Sequence, residues 1–183
     1  PAMCAHCLAA GGRRAIEPNR RAAYRELHAH WRQRGFHCAD AVLAELDTPA
    51  GIDGATAAFL GGTLFAGMTC SALTAGVMAL GLRFGEMEDS RPRVARMLGL
   101  MALGKDALAD QVNAFNHAMN LGHDLAGWFE AQFGSTQCRA LTGCDFATAD
   151  GVAAYIEHDG TTSCARIARL VAQRVAHMVA EPS

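Results

Sequence analysis

The sequence has few of several residue types that whole classes of protein depend on. Lysine occurs once, at Lys105, tyrosine occurs twice, and valine and isoleucine are sparse. So few β-branched residues disfavour an all-β fold. The formal net charge of −2 shows no basic excess, so we expect no general nucleic-acid surface. No basic-then-apolar leader is visible, although a removed one would leave no trace, and we expect a cytoplasmic protein.

Alanine is abundant instead, at 37 of the 183 residues. It is the strongest helix former, and apolar residues recur at helical spacing almost throughout the chain. In the first helix Ala23, Leu27 and Trp31 recur every fourth residue, and the longest helix has an apolar seam of Leu108, Val112, Phe115, Met119, Gly122, Ala126, Phe129 and Phe133. We therefore expect an all-α fold, a single-domain helical bundle of about seven helices at residues 19–183, with an N-terminal extension at residues 1–18. The spacing and capping signals predict helices over 19–34, 37–46, 70–82, 90–103, 106–133, 136–141, 148–157 and 162–179.

One segment is long enough to cross a membrane. Residues 59–82 carry no charge over 24 positions. Five glycines and four hydroxyl residues dilute the run, and no aromatic belt flanks it. We therefore predict two buried helices with a break at residues 67–69, and no membrane span.

The seven cysteines are the residues most informative about function. Four of them, from separate parts of the chain, are predicted in or near the first turn of a helix: Cys38, Cys70, Cys138 and Cys164. A helix N-terminus exposes unpaired N–H groups and carries about half a positive charge, and both favour a thiolate over a thiol. Four such thiolates could surround an anionic iron–sulfur core, with backbone N–H groups directed at its sulfur atoms.

The spacing of these four cysteines excludes the common metal motifs without identifying a ligand set. The four contain no C-x₂₋₄-C knuckle of the zinc-finger type and no ferredoxin-type run. Spacing alone leaves two interpretations open. The cysteines are either ligands of one cluster or small apolar residues in an alanine-rich core.

Four sequence blocks, in order, resemble a known family. They are residues 35–43 (GFHCADAVL), residues 61–85 with the run CSALTAGVMALGL, residues 133–143 (FGSTQCRALTG), and Cys164 at the start of the last helix. Together they are similar to the redox-active family named for its C…GCAxxG…C…C pattern, a domain also found in split-Soret cytochromes. The resemblance covers roughly residues 20–180. Thr69 replaces the glycine expected before the second cysteine, and Gly76 is expected to take over its close packing.

The resemblance implies a helical domain in which Cys38, Cys70, Cys138 and Cys164 bind an iron or iron–sulfur centre. The cluster type, 2Fe-2S or 4Fe-4S, stays open, and a homodimer is implied. We expect one-electron transfer with an unidentified redox partner protein rather than a stand-alone enzyme. The reason is that a cluster with four cysteine ligands lacks an open iron site.

The three remaining cysteines lie outside the family pattern. Cys4 and Cys7 form a C-x-x-C pair that fits a dithiol relay, an extra metal clip or an incidental pair in a tail. Leu8 follows Cys7 where c-type haem attachment requires histidine, so covalent haem is not expected. Cys144, six residues after Cys138, is the alternative third ligand. Two other functions stay open: a thiol–disulfide oxidoreductase using Cys4 and Cys7, and a structural zinc protein.

Overall fold

A computed structural model describes residues 18–34, 36–46, 48, 52, 56–85, 91–104 and 114–180. Within these ranges the chain is helical, and the only strand-like feature is one isolated bridge. The predicted all-α fold is confirmed. The helices are α1 (Pro18–Arg34), α2 (Cys38–Glu45), α3 (Ser71–Phe84), α4 (Arg91–Ala102), α5 (Ala114–Phe133), α6 (Cys138–Thr142), α7 (Ala149–Glu157) and α8 (Gly160–Ala180).

The first hydrophobic core lies among α2, α3, α5 and α8. Helix α3 packs against the other three, and α2 also packs against α8. Val42, Leu80, Leu125, Phe129 and Val171 are fully buried between them. Burying each of these side chains contributes roughly 1.5–3 kcal/mol, so this core supplies much of the driving force for folding.

Helix α5 is turned slightly from the predicted orientation. Met119 was expected in its buried seam but is 46% exposed, whereas Leu125 is fully buried. Helix α5 approaches α3 at Gly122, where a Cβ would lie 3.5 Å from Val77. Close approach at this small residue brings Leu125 into the core and leaves Met119 on the surface.

Helix α1 packs on α7 and forms the second hydrophobic core. The predicted apolar stripe of α1, consisting of Ala23, Leu27 and Trp31, is buried there. Trp31 also donates an indole N–H hydrogen bond of 3.3 Å to the hydroxyl oxygen of Tyr155 in α7. The four-residue spacing of the stripe therefore indicated the buried face of α1 correctly.

The first half of the uncharged segment is not a helix, so the prediction of two buried helices is wrong there. A short 3₁₀ turn at Ala57–Phe59 leads into residues 61–65, which all have positive φ between 52° and 70°. Gly61 and Gly62 adopt this left-handed conformation at no steric cost and start the turn. Among the described helices, none has the length and apolarity to cross a bilayer.

Helix α8 begins two residues earlier than predicted. Asp159 has a φ of 49° and reverses the chain after α7. Gly160 then lies directly on the ring of Tyr155, where a Cβ would come within 2.4 Å of Cδ2. Because α8 starts on that ring, Cys164 lies in its second turn and not in the predicted first turn.

Gly76 provides the first test, because the predicted close packing occurs there. A Cβ at Gly76 would lie 2.9 Å from Leu125 Cδ2 and from Val171 Cγ1. We expect Gly76→Ala to lower the free energy of unfolding by about 1–3 kcal/mol through overpacking. Gly81→Ala on the same helix, with nothing within 4 Å, should raise it by roughly 0.5–1 kcal/mol through helix propensity. Urea unfolding measures both, and equal effects would contradict the packing argument.

Candidate functional site

Cysteines from four separate elements line one small enclosed cavity. Cys38 is the first residue of α2, Cys70 is the N-cap of α3, Cys138 is the first residue of α6, and Cys164 lies in α8. Cys38 and Cys70 join the first hydrophobic core, and Cys138 and Cys164 join the second. The structure thus brings the four predicted site residues together where the two cores meet.

Backbone hydrogen bonds hold two of these cysteines side by side. The Cys70 amide donates to the Thr136 carbonyl over 2.8 Å, and the Cys138 amide donates to the Met68 carbonyl over 2.6 Å. An antiparallel bridge joins the residues between them, Thr69 and Gln137. We call this paired segment, residues 67–70 with residues 136–139, the cysteine bridge. It fixes the start of α3 relative to the start of α6.

The left-handed turn at residues 61–65 packs against Cys138 through Gly62. A Cβ at Gly62 would lie 2.6 Å from the Cβ of Cys138 and 2.7 Å from the Met68 carbonyl oxygen. The φ of Gly62 is +70°. Both the positive φ and the close approach therefore require glycine at this position.

Cys164 shares the cavity with Cys38 and Tyr155. The interaction with Cys38, together with that with Tyr155, holds the pKa of Cys164 below its usual value, although burial opposes this. The same interaction with Cys164 raises the pKa of Cys38 well above its usual value, and burial adds to the increase.

A position at a helix start does not lower the pKa of the other cysteines, so that expectation is wrong here. Burial raises the pKa of Cys138. Burial also raises the pKa of Cys70 by more than the amides of Leu73 and Ala72 lower it. Removing a thiolate from water in an apolar cavity outweighs the partial charge of a helix end. The one lowered pKa belongs to Cys164, which lies a turn beyond its helix start.

Among the described residues, Cys144 is the one cysteine that does not line this cavity. Cys144 is buried in the second core, and its thiol donates a 3.2 Å hydrogen bond to the Thr142 carbonyl. Burial raises the pKa of Cys144. The Cys144 thiol is thus hydrogen-bonded to the main chain. Cys4 and Cys7 lie outside the described residues.

The chemistry of the cavity is set by its sulfur atoms. No histidine, aspartate or glutamate of the described residues lines it. Its volume of about 20 Å³ has room for about one water molecule. In the described part of the chain, no three histidine, cysteine, aspartate or glutamate side chains are grouped to bind a single metal ion. In its chemistry, an all-thiol donor set fits an iron–sulfur cluster.

Comparison with known proteins gives one match. A family model described as "Putative redox-active protein (C_GCAxxG_C_C)" matches residues 36–178. The matched range contains the four cavity cysteines and Cys144, and it excludes Cys4 and Cys7. No curated protein and no solved structure matches the chain.

Gly62 provides the second test. We expect Gly62→Ala to lower the free energy of unfolding by about 2–4 kcal/mol, because it adds a left-handed penalty to a clash with Cys138. Gly134→Ala is the matched control, since Gly134 has a φ of +80° with nothing within 4 Å and should cost roughly 1–2 kcal/mol. Urea unfolding gives both values, and mass spectrometry follows alkylation of Cys138. Equal losses of stability in the two variants, with unchanged labelling of Cys138, would contradict the packing of this turn against Cys138.

Proposed function

Because the chain belongs to the C_GCAxxG_C_C family of redox-active proteins, we propose that Cys38, Cys70, Cys138 and Cys164 bind an iron–sulfur cluster for one-electron transfer. The observation that carries the proposal is the convergence of these four thiols on one cavity. When bound, a cluster of this kind supplies a reversible one-electron couple. Whether it is 2Fe-2S or 4Fe-4S is left to the experiment below.

The surrounding residues support electron transfer by controlling the environment of the sulfur atoms. Trp31, Phe146 and Ile167 line the cavity with apolar surface. Such walls keep water from the thiolates, and the polarity around a cluster helps to set its reduction potential. The Leu73 amide at the start of α3 acts on the Cys70 sulfur and favours its ionised form. Four cysteine ligands would leave no open iron site, which fits electron transfer better than chemistry on a substrate.

The proposal includes a homodimer and a separate redox partner protein. The family resemblance implies the dimer, and exposed apolar side chains offer surface for it. Val94, Leu98 and Met101 follow one face of α4, and Val77 and Met119 are exposed on α3 and α5. Helix α4 makes few contacts with the other described helices. Sedimentation velocity of the metal-loaded protein tests for the dimer.

A second candidate function is thiol–disulfide exchange, which the contact between Cys38 and Cys164 favours. Both residues line the same cavity, and each affects the pKa of the other. With a low-molecular-weight disulfide as oxidant, the Cys164 thiolate attacks one sulfur and releases one thiol. Cys38 then displaces the second thiol, so two electrons and two protons pass to the oxidant. The pair Cys4 and Cys7 stays a separate candidate for the same reaction.

Anaerobic reconstitution with iron and sulfide distinguishes these functions. We expect bound iron and sulfide and a visible charge-transfer absorbance that bleaches with dithionite. Serine at any one of Cys38, Cys70, Cys138 or Cys164 should reduce the bound iron severalfold or more, because each removes a ligand. Cys144→Ser is the matched control and should retain it, since Cys144 does not line the cavity and its thiol donates to the Thr142 carbonyl.

Other outcomes of that experiment overturn the proposal. Stoichiometric zinc without a visible spectrum would identify a structural zinc protein. A colourless protein that forms a Cys38–Cys164 disulfide with oxidised glutathione would support thiol–disulfide exchange. Unchanged iron binding in all four cavity variants would place the ligands elsewhere.

A further inference from the structure

Three grooves join into one surface that crosses α1, α2 and the first half of α8. The groove along α1 shares His28 and Arg32 with the next one, which shares Phe36 and Ala41 with the third. Their volumes are about 410, 420 and 520 Å³, so side chains of another molecule can enter them, unlike the cysteine cavity. We call this surface the basic groove and define it by Arg25, His28, Arg32, Phe36, Arg166 and Arg169.

The basic groove and the cysteine cavity share a wall. Trp31 lines both of them, so one indole ring separates the two spaces there. On α8, Thr162 and Ala165 line the groove, and Cys164, which lies between them in sequence, lines the cavity. Cys164 and Cys38 are partly buried, whereas the other two cavity cysteines are buried. A molecule in the basic groove would therefore lie close to the sulfur atoms without entering the cavity.

Arginine dominates the charge of the basic groove. The groove is lined by four arginines, against two carboxylates, Asp40 and Glu45. Asp40 is itself engaged, because it accepts a hydrogen bond from the Thr56 hydroxyl. In the described part of the chain, none of the four arginines forms an ion pair, whereas Arg34 pairs with Asp159 at 2.9 Å. The positive charge of the groove is thus available to another molecule.

Helix α1 extends this positive charge along the surface. Its 17 residues contain five arginines and one glutamate, although the whole chain has a net charge of −2. The apolar stripe of α1 is buried in the second core, and Arg21, Arg25 and Arg32 are exposed. A locally positive surface on a protein of negative net charge indicates recognition of a negatively charged partner.

We propose that the basic groove is the docking surface for an acidic one-electron carrier protein, the redox partner of the proposed function. The inference rests on that function: one electron passes between the carrier and the centre, and no covalent bond forms or breaks. Complementary charge speeds the encounter of two proteins and fixes their orientation. The shared wall at Trp31 then places the carrier near the centre. The groove shares no residue with the exposed apolar side chains on α3, α4 and α5 that are offered for the dimer.

Oxidation of the dithionite-reduced, reconstituted protein by ferric cytochrome b5, an acidic carrier, tests the docking surface. At low salt we expect the stopped-flow rate constant to fall several-fold in Arg32→Glu and in Arg166→Glu, and added salt should reduce the difference. With ferric cytochrome c, a basic carrier, the same variants should react faster than the wild type. Arg83→Glu is the matched control and should have little effect. It makes the same change of charge outside the basic groove, at the end of α3 far from Cys70.

Footprinting of the metal-free protein separates this inference from the proposed function. Cytochrome b5 at low salt should slow the alkylation of Cys164 by iodoacetamide several-fold, followed by mass spectrometry, because Cys164 lies beside the groove. Cys144 lines neither the groove nor the cavity, so its labelling should be unchanged. The protection of Cys164 should be lost in Arg166→Glu and retained in Arg83→Glu.

The two experiments can fail independently. If the wild type assembles no centre, the proposed function fails, and the protection of Cys164 alone decides whether the basic groove binds an acidic protein. Absence of protection, together with equal rates of electron transfer in Arg32→Glu and Arg83→Glu, would overturn the docking surface. Protection by phosphatidylserine vesicles or by duplex DNA, but not by cytochrome b5, would also overturn it, because the groove would then bind a membrane or a nucleic acid.

Discussion

The cysteine bridge determines where the sulfur atoms of this protein meet. Its backbone hydrogen bonds place Cys70 beside Cys138, although the two residues belong to different hydrophobic cores. Gly62 can lie against Cys138 only because it has no side chain. The remaining two cysteines arrive on α2 and α8, which pack together in the first core. Main-chain pairing thus positions Cys70 and Cys138, and helix packing positions Cys38 and Cys164.

Burial rather than helix polarity governs the ionisation of these thiols. A helix end offers about half a positive charge, but an apolar cavity removes the solvation of a full negative charge. Burial therefore raises the pKa of Cys70 and Cys138 in the metal-free protein. Cys164 differs because interactions with Cys38 and Tyr155 lower its pKa although burial opposes this. Interactions with individual side chains, and not the position of a residue in its helix, make the cysteines chemically distinct.

The sequence was sufficient to predict most of the described helices and the four cysteines that line the cavity, and insufficient for the contacts that join them. Periodic apolar residues such as Leu27 and Trp31 specify a buried face locally, so α1 was predictable. The left-handed turn at residues 61–65 is stabilised by packing on Cys138, which is remote in sequence. The same holds for Tyr155, whose partners Trp31 and Thr161 come from other helices. The spacing of apolar residues along the sequence does not reveal such contacts, because they depend on how the folded helices pack.

The placement of the cavity at the boundary between two cores has a thermodynamic consequence. Anything that binds only the native arrangement of all four thiols stabilises both cores at once. Helices α1 and α7 would then melt together with α3 and α5 in a single cooperative transition. Release of the occupant would uncouple the halves and let either one open by itself. Occupancy of this small cavity would therefore set how much of the chain unfolds as a unit.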